Sequence, residues 1–154
     1  MTQQTHPPVE FSAALAQFRQ SANDLLDVAN AYRPELREKE GACGVWSPRQ
    51  ILAHESGWIA EAVRRFEVYN AGETSNVRYD IDSFNAESVS ARAGSDWDAT
   101  LNELRQGIQD LISRAALVPN ERATEDSRYA RWLTIMAEDF NEHTEQLRQF
   151  TGME

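Results

Sequence analysis

A single cysteine, Cys43, among 154 residues leaves no intrachain disulfide and no cysteine-built zinc site. No apolar run is longer than four residues, so no stretch reads as a bilayer-spanning helix. The opening residues, Met-Thr-Gln-Gln-Thr-His-Pro-Pro, carry neither a basic start nor an apolar stretch, so no signal peptide is expected. Basic residues are scarce: Lys and Arg total 15 against 25 Asp and Glu, a formal net charge of −10. A surface this acidic repels phosphate backbones and anionic lipid, which predicts no nucleic-acid partner and no membrane partner. There is no Gly-rich phosphate loop, no Gly-x-Ser-x-Gly elbow and no His-Glu-x-x-His motif. Strand signals are missing too, with no sustained period-two alternation and no Asn-Gly or Asp-Gly hairpin. A chain that is 41% hydrophobic should still bury one core. The expectation is a soluble, cytoplasmic, all-α single domain.

Four long helices account for the apolar residues. In the first, about Val9 to Tyr32, Phe11, Leu15, Phe18, Ala22, Leu25 and Ala29 recur every three or four residues and line one face. Pro7 and Pro8 block its extension backwards and Pro34 stops it forwards. The second starts sharply: Ser47 caps it, Pro48 suits its first position and Gln50 completes a capping box. Ile51, Glu55, Trp58, Ala62 and Phe66 define its face, with Leu52, Ile59 and Val63 beside it, and it ends near Asn70. The third is expected to start at Ser95, with Asp98 completing a second capping box, and to end at Pro119 and Asn120. Its seam is Trp97, Leu101, Leu104, Ile108, Leu111 and Ala115. The fourth spans about Arg128 to Phe150. Four amphipathic helices of this length bury their stripes as a four-helix bundle.

The connection over 71–94 is far longer than neighbouring antiparallel helices require. A helix of 20 residues spans about 30 Å, so a crossover of this size suits a parallel neighbour. The expected order is up-down-down-up, with a short helix inside the crossover between Asp82 and Arg92.

Helix four carries the anomaly. Its stripe is Trp132, Met136, Asp139, His143, Leu147 and Phe150, with an acid and an imidazole one turn apart on one face. His54 falls on the inward side of helix two, and the third histidine, His6, lies in the N-terminal tail. At about 1.5 Å per residue, His54 sits about 9 Å from the start of helix two, and His143 about 10 Å from the end of helix four. Antiparallel, they meet at one level; parallel, they miss by more than about 10 Å. An unpaired carboxylate in a core costs several kcal/mol, and a divalent metal compensates it. His54, Asp139 and His143 supply three ligands and leave positions open. The bland alternative is a His–Asp hydrogen bond in the core with His54 facing solvent. Cys43, near the expected site mouth, reads as a small part-buried residue rather than a nucleophile, and Glu55 and Glu142 as solvated acids rather than proton carriers. Trp46, Trp58, Trp97 and Trp132 read as core or cap packing, and Arg64 and Arg65 as surface charges.

The stretch Trp46-Ser47-Pro48 followed by Leu52, His54 and Trp58 resembles the GWS…LxHxxxW signature of the DinB-like superfamily. The crossover from Ile81 to Leu104 resembles its ClbS/DfsB branch, and Glu138 to Phe150 is similar to its last helix. The resemblance implies a four-helix bundle over 9–154 behind a flexible tail over 1–8. It also implies a metal bound by three histidines, one on helix two and an HxxxH pair on helix four. His54 and His143 match two of these positions, and Asp139 departs at the third. Related bundles include mycothiol- or bacillithiol-dependent transferases and isomerases, and a hydrolase that opens a reactive cyclopropane in a genotoxin. The implied activity is a metal-dependent hydrolase or thiol (S-)transferase acting on a small electrophilic molecule, with a low-molecular-weight thiol as co-substrate in the second case. Zinc or nickel suits the ligand set first, then iron or manganese. The pocket is expected at the bundle end near Trp46 and the crossover. The alternative is a non-enzymatic ligand-binding or stress-protection bundle, a homodimer or a ligand carrier, with a vestigial site.

Overall fold

A computed structural model describes residues 10–152, and the tail expected over 1–8 lies outside the described residues, as do Val9 and His6. Within the described residues the chain is all-helical. Helix α1, Phe11–Asn30, buries Phe18, Ala22, Leu25 and Ala29 as its periodicity requires. Pro34 then opens a single 3-10 turn, Pro34–Leu36, that drops Leu36 into the core. Helix α2, Pro48–Asn70, begins with the expected box: the Ser47 hydroxyl accepts from the Gln50 amide at 3.2 Å, and the Gln50 side chain accepts from the Ser47 amide at 2.9 Å.

The crossover contains α3, Ile81–Ala91, one residue from the expected start and capped by Asp80. Helix α4, Trp97–Ala116, is capped by Asp96, whose side chain accepts from the Ala99 amide. This corrects the expected Ser95–Asp98 box: the acid next to Ser95 takes the cap. Pro119 does not merely end a helix. It precedes a further short one, α5, Asn120–Glu125, because a residue with extended backbone before Asn-Glu serves equally as a start. Helix α6 spans Arg128–Gly152.

The four long helices bury their stripes against one another. Each large apolar side chain removed from water contributes about 1.5–3 kcal/mol, and Phe18, Phe66, Leu104, Leu111, Phe140 and Leu147 are fully buried. Helices α1 and α6 meet along their length, from Phe11 against Tyr129 to the Tyr32 hydroxyl on the Leu147 carbonyl at 3.0 Å. Helices α2 and α6 run in opposite directions. At one end Trp132 Nε1 donates to the Tyr69 hydroxyl at 2.9 Å, and at the other the His54 and His143 rings meet.

The crossover is clamped onto α2 at Gly57. A Cβ there would lie 2.0 Å from Ser88 Oγ, so only glycine admits α3 at this distance. Phe84 of α3 stacks on Trp58 with ring centroids 4.0 Å apart. No helix among the described residues is long and apolar enough to cross a membrane.

Candidate metal centre

His54 lies in the second turn of α2, and Asp139 and His143 lie one turn apart in α6. The antiparallel meeting of these helices brings all three together with Glu55, and one ligand atom from each of the four lies within 4.8 Å of the others. The expected separations are therefore right for His54, Asp139 and His143. Glu55 is a correction. It is 0% exposed, not a solvated helix-face acid, because it stands on the face of α2 that meets His143 of α6.

The two imidazoles are oriented by amides. Trp58 Nε1 donates to Asn85 Oδ1 at 2.7 Å, and an indole nitrogen is a donor only, so the Asn85 atom at this junction is the oxygen. His54 Nδ1, 2.9 Å from the same oxygen, must then carry its proton. His143 Nδ1 lies 2.7 Å from Gln146 Oε1. Both Nε2 atoms are left facing inward, which is how metal-binding histidines are held by outer hydrogen bonds.

Around His54 Nε2 the geometry is over-subscribed. Asp139 Oδ2 is 3.3 Å away, His143 Nε2 3.2 Å and Glu55 Oε1 2.8 Å. One nitrogen with one proton cannot serve three partners. Neither oxygen of Glu55 has a hydrogen-bond partner among the described residues, the short approach to His54 being out of line for one. A buried carboxylate without partners is costly, and a cation at the centre of the group would satisfy all four residues at once.

The titration behaviour follows from the same crowding. Burial disfavours a charged His54, but the adjacent Asp139 and Glu55 carboxylates outweigh it and hold the ring at about 10. Burial, helped by the Asp139 charge, pushes the Glu55 carboxyl well above its usual range. Burial would also raise Asp139, yet the adjoining Glu55 carboxyl, His54 and His143 bring it below the usual carboxylate range. His143 is lowered, chiefly by burial.

Asp139 is the exposed edge of the group, with a third of its side chain accessible, and it opens into a cavity of about 800 Å³. That volume is in the range of small-molecule sites. The cavity lies along α2 and α6 under the segment that leads into α3, with Trp58, Tyr79 and Trp132 among its walls. The expected opening near Trp46 is corrected, since the Trp46 ring sits 4.9 Å from that of His54 and does not line the cavity. Trp58 and Trp132 line it, so packing is not their whole role. Cys43 is part-buried as expected, and burial pushes its thiol up, away from a reactive thiolate. Arg64 is exposed as read, but Arg65 is only 4% exposed and faces the far end of the cavity.

No protein-family model and no curated protein matches the chain by sequence. Solved structures do match by shape. An uncharacterised protein from Escherichia coli UTI89 superposes with a TM-score of 0.80 at 13% identity over 94% of each chain. The colibactin self-resistance protein ClbS, crystallised in complex with a dsDNA, gives 0.78 at 11% identity over 97% of this chain and 99% of that one. A Streptococcus pneumoniae protein gives 0.76 at 12% identity over 97% and 93%. The dsDNA held by ClbS overturns the expectation that nucleic acid is excluded as a partner. Net charge sums a whole surface and does not preclude a local cationic face; here Arg65, Arg128 and Arg131 line one cavity despite a total of −10. The fold is that of ClbS and its structural neighbours, in agreement with the DinB-like resemblance of the sequence.

Proposed function

We propose that the chain is a metal-dependent hydrolase or thiol (S-)transferase for a small electrophilic molecule. The divalent ion is held by His54, Asp139 and His143, with Glu55 as an added carboxylate. The bundle is read as up-down-down-up with α3 in its long crossover. Support for that order comes from α1 following α6 from Phe11–Tyr129 to Tyr32–Leu147 while α2 opposes α6. One observation carries the functional reading: two imidazoles with Nδ1 tied to amide oxygens turn Nε2 towards two carboxylates, one of them buried without a partner. Two ligands on a tetrahedral ion with bonds of about 2.0 Å lie about 3.3 Å apart. The 3.2 and 3.3 Å separations around His54 fit that spacing. Two nitrogens and two carboxylate oxygens suit zinc or nickel, and also manganese or iron.

Such an ion, when bound, polarises a substrate atom or lowers the pKa of a water or thiol towards neutrality. The chain's own residues supply the rest. Trp58 and Trp132 take up the apolar body of the substrate, and Trp46 shields His54 on the side away from the cavity. Glu138 and Glu142, exposed at the same end of the cavity, are placed to pass protons to solvent.

Protein purified without a chelating tag should carry stoichiometric metal, or take it up from zinc, nickel, manganese or ferrous salts. His143→Ala should lose the metal and the activity together. If no metal binds under any of these conditions the reading fails, and a ligand-binding or stress-protection bundle takes its place. A second reading, contact with duplex DNA, is favoured by the ClbS complex and is tested by gel shift of a labelled duplex.

A further inference from the structure

The end of the cavity away from the metal centre is built around two arginines that converge on one backbone oxygen. Arg65 Nη2 and Arg128 Nη1 both donate to the Ser75 carbonyl, at 3.1 and 3.3 Å. Both guanidiniums also lie over the Tyr69 ring, 5.2 and 4.0 Å from its centroid. Arg128 is neutralised by Asp126 at 2.8 Å, and its remaining donors go to the Glu73 carbonyl and to Asn76 Oδ1. Arg65 is not neutralised. It is 4% exposed, and the bond to Ser75 is the single hydrogen bond its guanidinium makes among the described residues. The nearest acid on its own helix, Glu61, is taken by Arg64 and by the Tyr79 hydroxyl. Arg131, exposed on α6, lines the same end and makes no ion pair among the described residues. A buried guanidinium has five N–H donors and is permanently charged, so leaving most of them unanswered is costly.

The opposite end of the same cavity carries Asp139, Glu138 and Glu142, which repel a second negative charge. Between the ends lie Trp58, Tyr79 and Trp132. On both helices an arginine stands eleven residues from a ligand, Arg65 from His54 and Arg128 from Asp139. Eleven residues of helix span about 16 Å.

We infer that Arg65 and Arg131 form an anion subsite walled by the Asp126-paired Arg128, so the molecule taken into this cavity is elongated. It has a carboxylate, sulfonate or phosphate at one end, an apolar or aromatic middle, and the group to be transformed about 16 Å away. This names the substrate class of the proposed reaction and rests on that reading, but the subsite binds without the metal.

The test therefore uses metal-free protein in chelator. The Trp58 and Trp132 fluorescence is followed on titration with 6-phenylhexanoate and with its neutral analogue, 6-phenylhexanamide. The acid should bind about tenfold more tightly than the amide, the difference made by charge-assisted hydrogen bonds. The preference should shrink in Arg131→Gln, vanish in the Arg65→Gln/Arg131→Gln pair, survive in part in Arg65→Lys and be untouched in His143→Ala. Arg131 is exposed and Arg65→Lys keeps the charge, so these two variants carry the test if the double variant does not fold. Equal binding of acid and amide, or a preference indifferent to Arg131→Gln and Arg65→Lys, overturns the subsite. So does a duplex oligonucleotide that displaces the acid and loses affinity in the same arginine variants, because the cationic end would then serve a phosphate backbone. A failed metal-uptake experiment alongside an intact acid preference would dismiss the catalytic reading and leave the subsite standing.

Discussion

Replacing Gly57 by alanine tests how the crossover serves the metal centre. The new Cβ would stand 2.0 Å from Ser88 Oγ and 2.5 Å from Ser88 Cβ, whereas ordinary contact begins at 3.4 Å. Rotating the hydroxyl away relieves the first clash but not the second, so α3 must retreat by roughly an ångström. Overpacking of this kind costs about 1–3 kcal/mol. Asn85 precedes Ser88 by three residues and moves with it, stretching its 2.9 Å contact with His54 past hydrogen-bonding range and losing about 1 kcal/mol more. In a domain of this size each kcal/mol lowers Tm by about 2–4 °C, so Gly57→Ala should melt about 4–16 °C below the parent. Ser88→Gly removes both clashing atoms at a helix cost of about 1 kcal/mol. The double variant should therefore be more stable than Gly57→Ala alone, a positive coupling read by thermal melts of all four proteins. Zinc titration of the same set should show weakened binding in Gly57→Ala and recovery in the double variant. Additive melting losses, or a Gly57→Ala protein as stable as the parent, would refute the clamp.

Asn85→Ala leaves both helices intact but frees the His54 ring, and metal affinity should fall about 10–100-fold in a competition titration with a chromophoric chelator. In metal-free protein His54 is raised from 6.5 to about 10, so its stabilising contribution is complete below pH 6.5 and is lost as pH rises through 10. The urea midpoint should fall over that window, and His54→Gln should flatten the slope. Asp126 is held below its usual value by the Arg128 guanidinium, so its contribution is present above about pH 3.8 and disappears as pH falls through the lowered value. Asp126→Asn should therefore be less stable than the parent at neutral pH, with the two melting curves converging in acid.

The bundle was legible because helical burial writes a local, repeating signature. The seam from Trp97 to Ala115 and the stripe from Phe11 to Ala29 need only the 3.6-residue period, and both face the core or pack against it. The meeting of His54 with His143 was legible for a related reason: helix rise converts position into depth, and the crossover length chose between parallel and antiparallel. Glu55 was misread by residue type. It stands between Ile51 and Trp58 on the very stripe assigned to the core, and periodicity was the better guide than the general exposure of glutamate. Arg65 was misread on the same ground. Asn85 carried no local signal at all. Its role depends on where α3 is laid across α2, which is fixed by the absent Cβ at Gly57 and the Phe84–Trp58 stack. Pairings between a crossover and a helix are tertiary facts with no sequence period.

The departure at Asp139 gains its meaning from Glu55. Three neutral imidazoles beside an ionised Glu55 would leave a divalent ion with a net charge of +1 in a buried site. With an aspartate in place of one imidazole, two carboxylates would balance a divalent ion and leave the buried assembly neutral, the cheaper state to remove from water. Neutrality has a chemical consequence, because anionic donors lower the effective positive charge of the ion they hold. The ion's power to acidify water is reduced by the same balance. A centre of this kind is better matched to a substrate that already carries its own electrophilic strain than to an inert amide or ester. Under the proposed reading, the acidic rim of Glu138 and Glu142 and the arginines at the far end would act on orientation, drawing the anionic end of a molecule away from the centre and leaving its reactive end beside it.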